Sequence, residues 1–230
     1  MRILLVTDAW APQVNGVVRT WQRVTAEAGA MGHEVRVVAP DGFRTVPCPT
    51  YPEIRLAVFP GRGVRRAFDD FAPDAIHIAT EGPLGLAARR LCLKRGLPLT
   101  TSYHTKFPEY VSARAPVPVS WGQAAMRWFH APSAAVLAAT PTVRRELAAM
   151  GLKNAAAWTR GVDTGLYRPG LDPALDLPGT VFVYVGRVAV EKNIEAFLRL
   201  DLPGSKLIVG DGPARARLER TYHGVHFAGM

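Results

Sequence analysis

Cysteine is nearly missing: the 230 residues contain only Cys48 and Cys92. Two thiols cannot staple a small secreted scaffold, and the pair reads as inert packing residues of a protein kept in a reducing, cytoplasmic compartment. No apolar run approaches the ~20 residues that a membrane-spanning helix needs. The opening Met1-Arg2-Ile3-Leu4-Leu5-Val6-Thr7-Asp8 meets a carboxylate too soon for a signal peptide and reads as a first strand. Low-complexity tracts, heptad arrays and short-period repeats are also lacking, and with 48% hydrophobic and 20% charged residues this is an ordinary globular composition. Acidic residues are in deficit, 19 Asp and Glu against 28 Lys and Arg, for a net charge of +9. That surplus favours a polyanionic partner: nucleic acid, an anionic membrane surface or a phosphorylated substrate. Basic clusters at Arg62, Arg65 and Arg66 and at Arg89, Arg90, Lys94 and Arg95 lack the interleaved aromatics on which a single-strand binder stacks bases. No nucleic-acid partner is therefore expected. A dinucleotide fingerprint is missing as well. The loop from Thr7 to Thr20 has a single glycine, Gly16, and the second strand ends in Ala39-Pro40 without an acidic residue, which removes the main support for a nicotinamide dehydrogenase.

What is present is a regular alternation. Strand-like runs occur at Ile3 to Val6, Val35 to Ala39, Ile54 to Phe59, Ala75 to Ala79, Leu97 to Ser102, Ala134 to Ala139 and Ala155 to Thr159. Helical patterns lie between them at Gly16 to Ala30, Val64 to Phe71, Pro83 to Arg95, Val119 to Phe129 and Pro141 to Met150. This is an α/β chain with a parallel, Rossmann-like sheet over residues 1–160. Gly32, Gly96 and Gly151 stand where left-handed helix C-caps belong. Residues 161–179, with Pro169, Pro173 and Pro178, read as a linker.

The alternation restarts over residues 180–230: strand Val181 to Val185, helix Asn193 to Leu200, strand Lys206 to Val209, helix Ala214 to Arg220 and strand Val225 to Ala228. Five consecutive apolar residues from Val181 suit a strand covered on both faces. A doubly wound unit places its first strand centrally, so the second unit is expected to be incomplete, with this apolar strand left at an edge.

Ligands of open α/β sheets bind beyond the carboxyl ends of the strands. Three such ends carry chemistry. After the first, Asn15-Gly16 opens a helix, either as a plain N-cap or as a backbone cradle facing a sugar or phosphate. After the fifth, His104 follows Tyr103 where a strand-end histidine reaches the cleft, a structural histidine being the alternative. After Val185, Gly186 allows close approach of a ligand, and Arg187 and Lys192 place two cations near a helix start, as a diphosphate site requires. Trp121, Ala125 and Trp128 recur at helical spacing and read as core packing, with lipid or acceptor contact as the alternative.

Thr7-Asp8…Pro12-Gln13-Val14-Asn15-Gly16-Val17, Tyr103-His104-Thr105…Phe107-Pro108, Trp158…Arg160-Gly161-Val162-Asp163, Gly186-Arg187…Glu191-Lys192-Asn193 and Gly210-Asp211-Gly212-Pro213 together resemble the retaining GT-B glycosyltransferases of family four. The branch with GDP-mannose-dependent α-mannosyltransferases and sulfoquinovosyl-lipid synthases is the most similar. The resemblance implies two Rossmann-like domains. It implies transfer of a hexose, expected to be mannose, from a nucleotide sugar to a lipid or glycan acceptor, without a metal or other cofactor. Arg62, Arg65 and Arg66 near an apolar surface add an expected peripheral contact at the inner face of an anionic membrane. By position, His104, Arg187 and Lys192 are the implied catalytic residues. Gly16, Gly186, Arg187, Lys192, Gly210 and Gly212 are the implied donor contacts, and Asp8, Asn15 and Tyr103 the implied acceptor contacts. The family's Glu-x7-Glu segment does not occur after the linker in this sequence. That leaves a second reading: a remnant that only binds acceptor, membrane or a partner subunit.

Overall fold

The structure, a computed structural model, describes residues 1–48, 51–104, 118–170 and 176–230, without the side chains of 51–53. Thr105 and the Phe107-Pro108 pair, together with linker residues 171–175, fall outside the described residues. The chain separates into two compact units, Met1–Gly161 and Val162–Met230.

The first unit runs β1 (Arg2–Val6), α1 (Gly16–Ala30), β2 (Glu34–Val38), β3 (Thr45–Cys48), β4 (Tyr51–Ala57), α2 (Gly61–Phe71), β5 (Ala75–Ile78), α3 (Pro83–Arg95), β6 (Thr100–Tyr103), α4 (Val119–His130), β7 (Ala135–Ala138), α5 (Pro141–Ala149) and β8 (Ala155–Ala157). Six strands pair in parallel in the order β2-β1-β5-β6-β7-β8. The run expected at Ile54 to Phe59 is not part of this sheet. It forms β4, which pairs antiparallel with β3 in a separate two-stranded ribbon. Pro47 hid the partner strand in the sequence, although an edge ribbon tolerates a residue without an N–H.

Side chains alternate across each strand, and the two faces have different cores. Leu4, Val6, Ile76 and Ile78 pack with Val64, Phe68, Leu84, Ala88 and Phe129 of α2, α3 and α4. Leu5 and Ala79 point the other way and pack with Trp21 of α1 and with Trp158. Leu4, Ile78 and Leu84 are fully buried, and each such side chain contributes about 1.5–3 kcal/mol of transfer free energy. The helix starts and stops follow local chemistry. The Asn15 carboxamide oxygen accepts from the N–H groups of Val17 and Val18, both at 3.0 Å, and fixes where α1 begins. Gly32, Gly96 and Gly151 end α1, α3 and α5 with φ of 82°, 63° and 89°.

The second unit runs β9 (Thr180–Val185), a 3₁₀ turn at Val190–Lys192, α6 (Ile194–Leu198), β10 (Gly204–Val209), α7 (Arg215–Thr221) and β11 (Val225–Gly229), with strand order β11-β10-β9. Val188, Ile194, Leu198, Ile208 and Leu218 build its core. β9 lies at the edge, and Val181, Val183 and Val185 are 40%, 54% and 71% exposed. The expectation of a strand covered on both faces is corrected here: α6 and α7 both contribute to the core that holds Tyr184 and Ile208, and the alternate residues of β9 face solvent. The expected helix over Asn193 to Leu200 is also shorter, because Asn193 adopts a left-handed φ of 47° between the 3₁₀ turn and the five residues of α6.

Candidate functional site

β1 and β5 are where the crossovers diverge, the position at which doubly wound sheets usually open a ligand crevice. Here Asp8 fills it. Its carboxylate is 5% exposed as a residue and accepts from Leu84 N (2.9 Å), Gly85 N (3.3 Å) and Thr80 Oγ1 (2.9 Å). A Cβ on Gly82 would lie 2.4 Å from Asp8 Cγ, so the glycine at the N-cap of α3 is there to admit this side chain. Burial raises the Asp8 pKa above its usual value, opposed by those hydrogen bonds. Asp8, expected to contact acceptor, is therefore committed to the first turn of α3.

Tyr103, also expected to contact acceptor, lies in the core. It is 6% exposed and packs with Met126, Val136 and Leu147, its ring edge-on to His130 at 5.9 Å. Neighbouring side chains along an extended chain leave on opposite faces, and Tyr103 packs against α4 and α5 while His104 meets Trp21 of α1.

His104 follows β6 on the face covered by α1. Its Nε2 accepts the indole N–H of Trp21 at 2.9 Å. The Trp21 and Trp158 rings lie 6.0 Å and 5.8 Å from it, both close to edge-on. Beneath it His77 is pinned between the hydroxyls of Thr100 (2.8 Å) and Ser102 (2.9 Å). Burial, then the nearby Arg160 cation, lowers the His104 pKa to about 4. Burial, then His104, lowers that of His77 to about 3. Both rings are neutral at physiological pH. Gly16 opens α1 close by: its missing Cβ would find Arg160 Nη1 at 4.0 Å and nothing nearer. The structure thus brings His104, Gly16 and Arg160 to one edge of the first unit, with Asn15 held as the helix cap. Sequence reasoning missed Trp21 and left Arg160 inside a motif without a role. The stripe Val17, Trp21, Val24 carries the signal for Trp21, but it reads equally as plain core.

In the second unit Gly186, Gly210 and Gly212 interlock. A Cβ on Gly210 would lie 1.9 Å from the Gly186 carbonyl oxygen, and one on Gly212 2.4 Å from that of Val188. The loops after β9 and β10 are closed by Val188 N to Asp211 O at 2.9 Å and Gly186 N to Val209 O at 2.9 Å. Gly210 and Gly212 are thus explained by backbone packing before any ligand is considered. Arg187 is half-buried and its carbonyl accepts from Tyr184 Oη at 3.0 Å. Lys192 ends the 3₁₀ turn, exposed and without an ion pair among the described residues. The helix that follows is a single turn, so its dipole is small and an anion here depends on the two side-chain cations. A cleft of about 250 Å³ between α6 and α7 is lined by Asn193, Glu195, Arg199 and Arg217 and does not include Arg187 or Lys192.

Elsewhere the structure revises the surface. Trp121 and Trp128, expected to pack in the core, are 71% and 58% exposed, because α4 buries Met126, Phe129 and His130 instead. Arg89, counted among surface cations, is buried: it donates to the carbonyls of Trp128 (2.7 Å) and Phe129 (2.9 Å) at the end of α4 and stacks under the Trp128 ring. Arg95 pairs with Asp69 at 2.6 Å. Among the described residues no helix is long and apolar enough to cross a membrane.

Residues 14–166 match the family model described as Glycosyltransferase Family 4. The chain belongs to glycosyltransferase family 4. A GDP-mannose-dependent alpha-mannosyltransferase of Mycobacterium tuberculosis is 30% identical over 257 residues, covering 100% of this chain and 68% of that protein. Proteins of the same description from Mycolicibacterium smegmatis and Corynebacterium glutamicum are 30% and 28% identical, with 68% and 62% of their lengths covered. Among solved structures, Anabaena HepE in complex with UDP superposes with a TM-score of 0.60 at 14% identity, covering 100% of this chain and 69% of that one. An alpha-glucosyltransferase in complex with UDP gives 0.57 at 10% identity, over 96% and 61%. The fold of this family 4 chain is accordingly the GT-B glycosyltransferase type, with the expected α/β, Rossmann-like parallel sheet.

Proposed function

We propose that this chain belongs to a GDP-mannose-dependent mannosyltransferase that moves mannose to a lipid or glycan acceptor with retention at the anomeric carbon. The choice of donor rests on one observation: three relatives that align with the entire chain are GDP-mannose-dependent alpha-mannosyltransferases. In this reading Arg187 and Lys192 bind the donor diphosphate and offset the charge that grows on GDP as the sugar–phosphate bond breaks, so the leaving group needs no metal. His104 bonds a hydroxyl of the sugar, and Gly16 lets the start of α1 approach the donor phosphates. Gly186, Gly210 and Gly212 shape the loops on which the diphosphate rests.

The exposed face of α2, with Arg62, Arg65 and Arg66 next to a 94% exposed Phe59, supports peripheral contact with an anionic membrane at the cytoplasmic side. Calorimetric titration of the chain with GDP-mannose and with UDP-glucose tests the donor, and transfer of labelled mannose tests the reaction. Saturable GDP-mannose binding and transfer are expected, with binding lost in Lys192→Ala and transfer strongly slowed, though still measurable, in His104→Ala. Acceptor or vesicle binding with no donor binding would replace this reading with that of a binding module.

A further inference from the structure

An indole N–H donates a hydrogen bond and accepts none. The 2.9 Å contact between Trp21 Nε1 and His104 Nε2 therefore has one chemical reading: Nε2 is the unprotonated nitrogen, and the neutral ring carries its proton on Nδ1. We propose that Trp21 is a positioning residue that locks His104 as the Nδ1–H tautomer, so that this imidazole meets its ligand only as a hydrogen-bond donor. The ligand atom it takes is an oxygen with a free lone pair. On the donor-sugar reading above, on which the ligand's identity rests, that oxygen is a hydroxyl of the transferred hexose held as acceptor.

The surroundings hold the arrangement in place. Trp21 is 5% exposed on α1, with His77 at 4.4 Å and Trp158 at 5.1 Å between ring centroids. Its N–H is taken up by His104, and a buried donor left unpaired is costly. Turning the His104 ring would break that bond and disturb two edge-on contacts at once. His77 does not compete for Trp21, because both of its nitrogens are engaged by Thr100 and Ser102. Arg160 stands near enough to disfavour a second proton on His104. Among the described residues Nδ1 of His104 has no hydrogen-bond partner.

A tautomer is observable without any substrate. Two-bond ¹H–¹⁵N spectra of the ¹⁵N-histidine-labelled chain at neutral pH are expected to show His104 with a protonated-type Nδ1 and an unprotonated-type Nε2. In Trp21→Phe the pattern moves towards the Nε2–H form that free imidazole favours. Because phenylalanine also leaves a gap, benzothienylalanine at position 21, which keeps the ring shape but has sulfur in place of N–H, is expected to give the same change. Trp158→Phe, which removes a ring contact but no bond to His104, keeps the wild-type pattern. A protonated Nε2 in the wild type, or an unchanged tautomer in both position-21 variants, overturns the proposal. In GDP-mannose transfer, loss of the Trp21 N–H is expected to lower kcat by about fivefold to tenfold, and by nothing further in a His104→Ala background. Additive losses would show that Trp21 acts structurally and not through His104. If the tautomer behaves as stated while GDP-mannose neither binds nor reacts, the positioning role stands and the donor assignment fails.

Discussion

Replacing Gly16 and Gly210 by alanine tests whether Gly16 serves a ligand while Gly210 serves the fold. At Gly16 the new Cβ would be 4.0 Å from its nearest neighbour, Arg160 Nη1, in ordinary contact, and φ at Gly16 is not positive. Alanine at the start of a helix also reduces the entropy of the unfolded chain, so Gly16→Ala is expected to leave stability unchanged or raise it by up to about 0.5–1 kcal/mol. At Gly210 the Cβ would lie 1.9 Å from the Gly186 carbonyl oxygen, on a residue with φ of 140°. An ordinary carbon–oxygen approach is about 3.3–3.6 Å, so one loop must retreat by roughly 1.4 Å or more. A cost of about 2–4 kcal/mol follows, which in a unit of this size is a fall in Tm of about 15–30 °C. The assays are thermal unfolding of each variant and calorimetric titration with GDP-mannose. Gly16→Ala is expected to fold normally and bind donor about tenfold or more weakly. Normal donor affinity in a folded Gly16→Ala would refute the idea that the start of α1 approaches the donor, and a normally stable Gly210→Ala would refute the packing argument.

Other consequences can be measured independently. Asp8→Ala removes three hydrogen bonds to Thr80, Leu84 and Gly85 and should destabilise the first unit by about 2–4 kcal/mol in urea unfolding; a loss below about 0.5 kcal/mol would show the cap to be dispensable. His77 and His104 have folded pKa values below the ordinary 6.5. The unfolded chain therefore binds more protons between about 6.5 and about 4, and stability must fall as pH is lowered through that window. Asp8, raised by burial, opposes this at the acid end. The urea midpoint of His77→Gln should depend less steeply on pH than that of the wild type, and equal slopes would contradict the assignment. Reversing Arg62, Arg65 and Arg66 to Glu should abolish sedimentation with anionic vesicles and leave the negligible binding to neutral vesicles unchanged. Retained binding would place the membrane contact elsewhere, with the exposed Trp121 and Trp128 of α4 next to be tested.

The fold was legible wherever a residue's reason was local. The Asn15 cap, the three left-handed glycines and the alternation of β1, β5 and β7 with their helices follow from capping chemistry and periodicity. What the sequence hid depended on partners far along the chain. Arg89 reads as one more surface cation until the end of α4 is placed over it. Asp8 reads as a strand-end ligand contact until Gly82 brings the N-terminus of α3 onto its carboxylate. The Trp121 and Trp128 stripe has core-like spacing, yet the buried face of α4 is set by Met126, Phe129 and His130 one position away. For the candidate site, the strand-end rule pointed to His104, Arg187 and Lys192 as candidates. It could not show that His104 is held by an indole 83 residues earlier in the chain, nor that Gly210 and Gly212 are required by the facing backbone.

The central claim, that this family 4 chain carries the diphosphate-binding residues of a GDP-mannose-dependent transferase, is tested most directly by calorimetric titration of the wild-type chain with GDP-mannose beside Lys192→Ala and UDP-glucose controls. A saturable heat with GDP-mannose, lost in Lys192→Ala and weaker with UDP-glucose, is the predicted result. Binding that is absent, indifferent to Lys192, or stronger for UDP-glucose would contradict it.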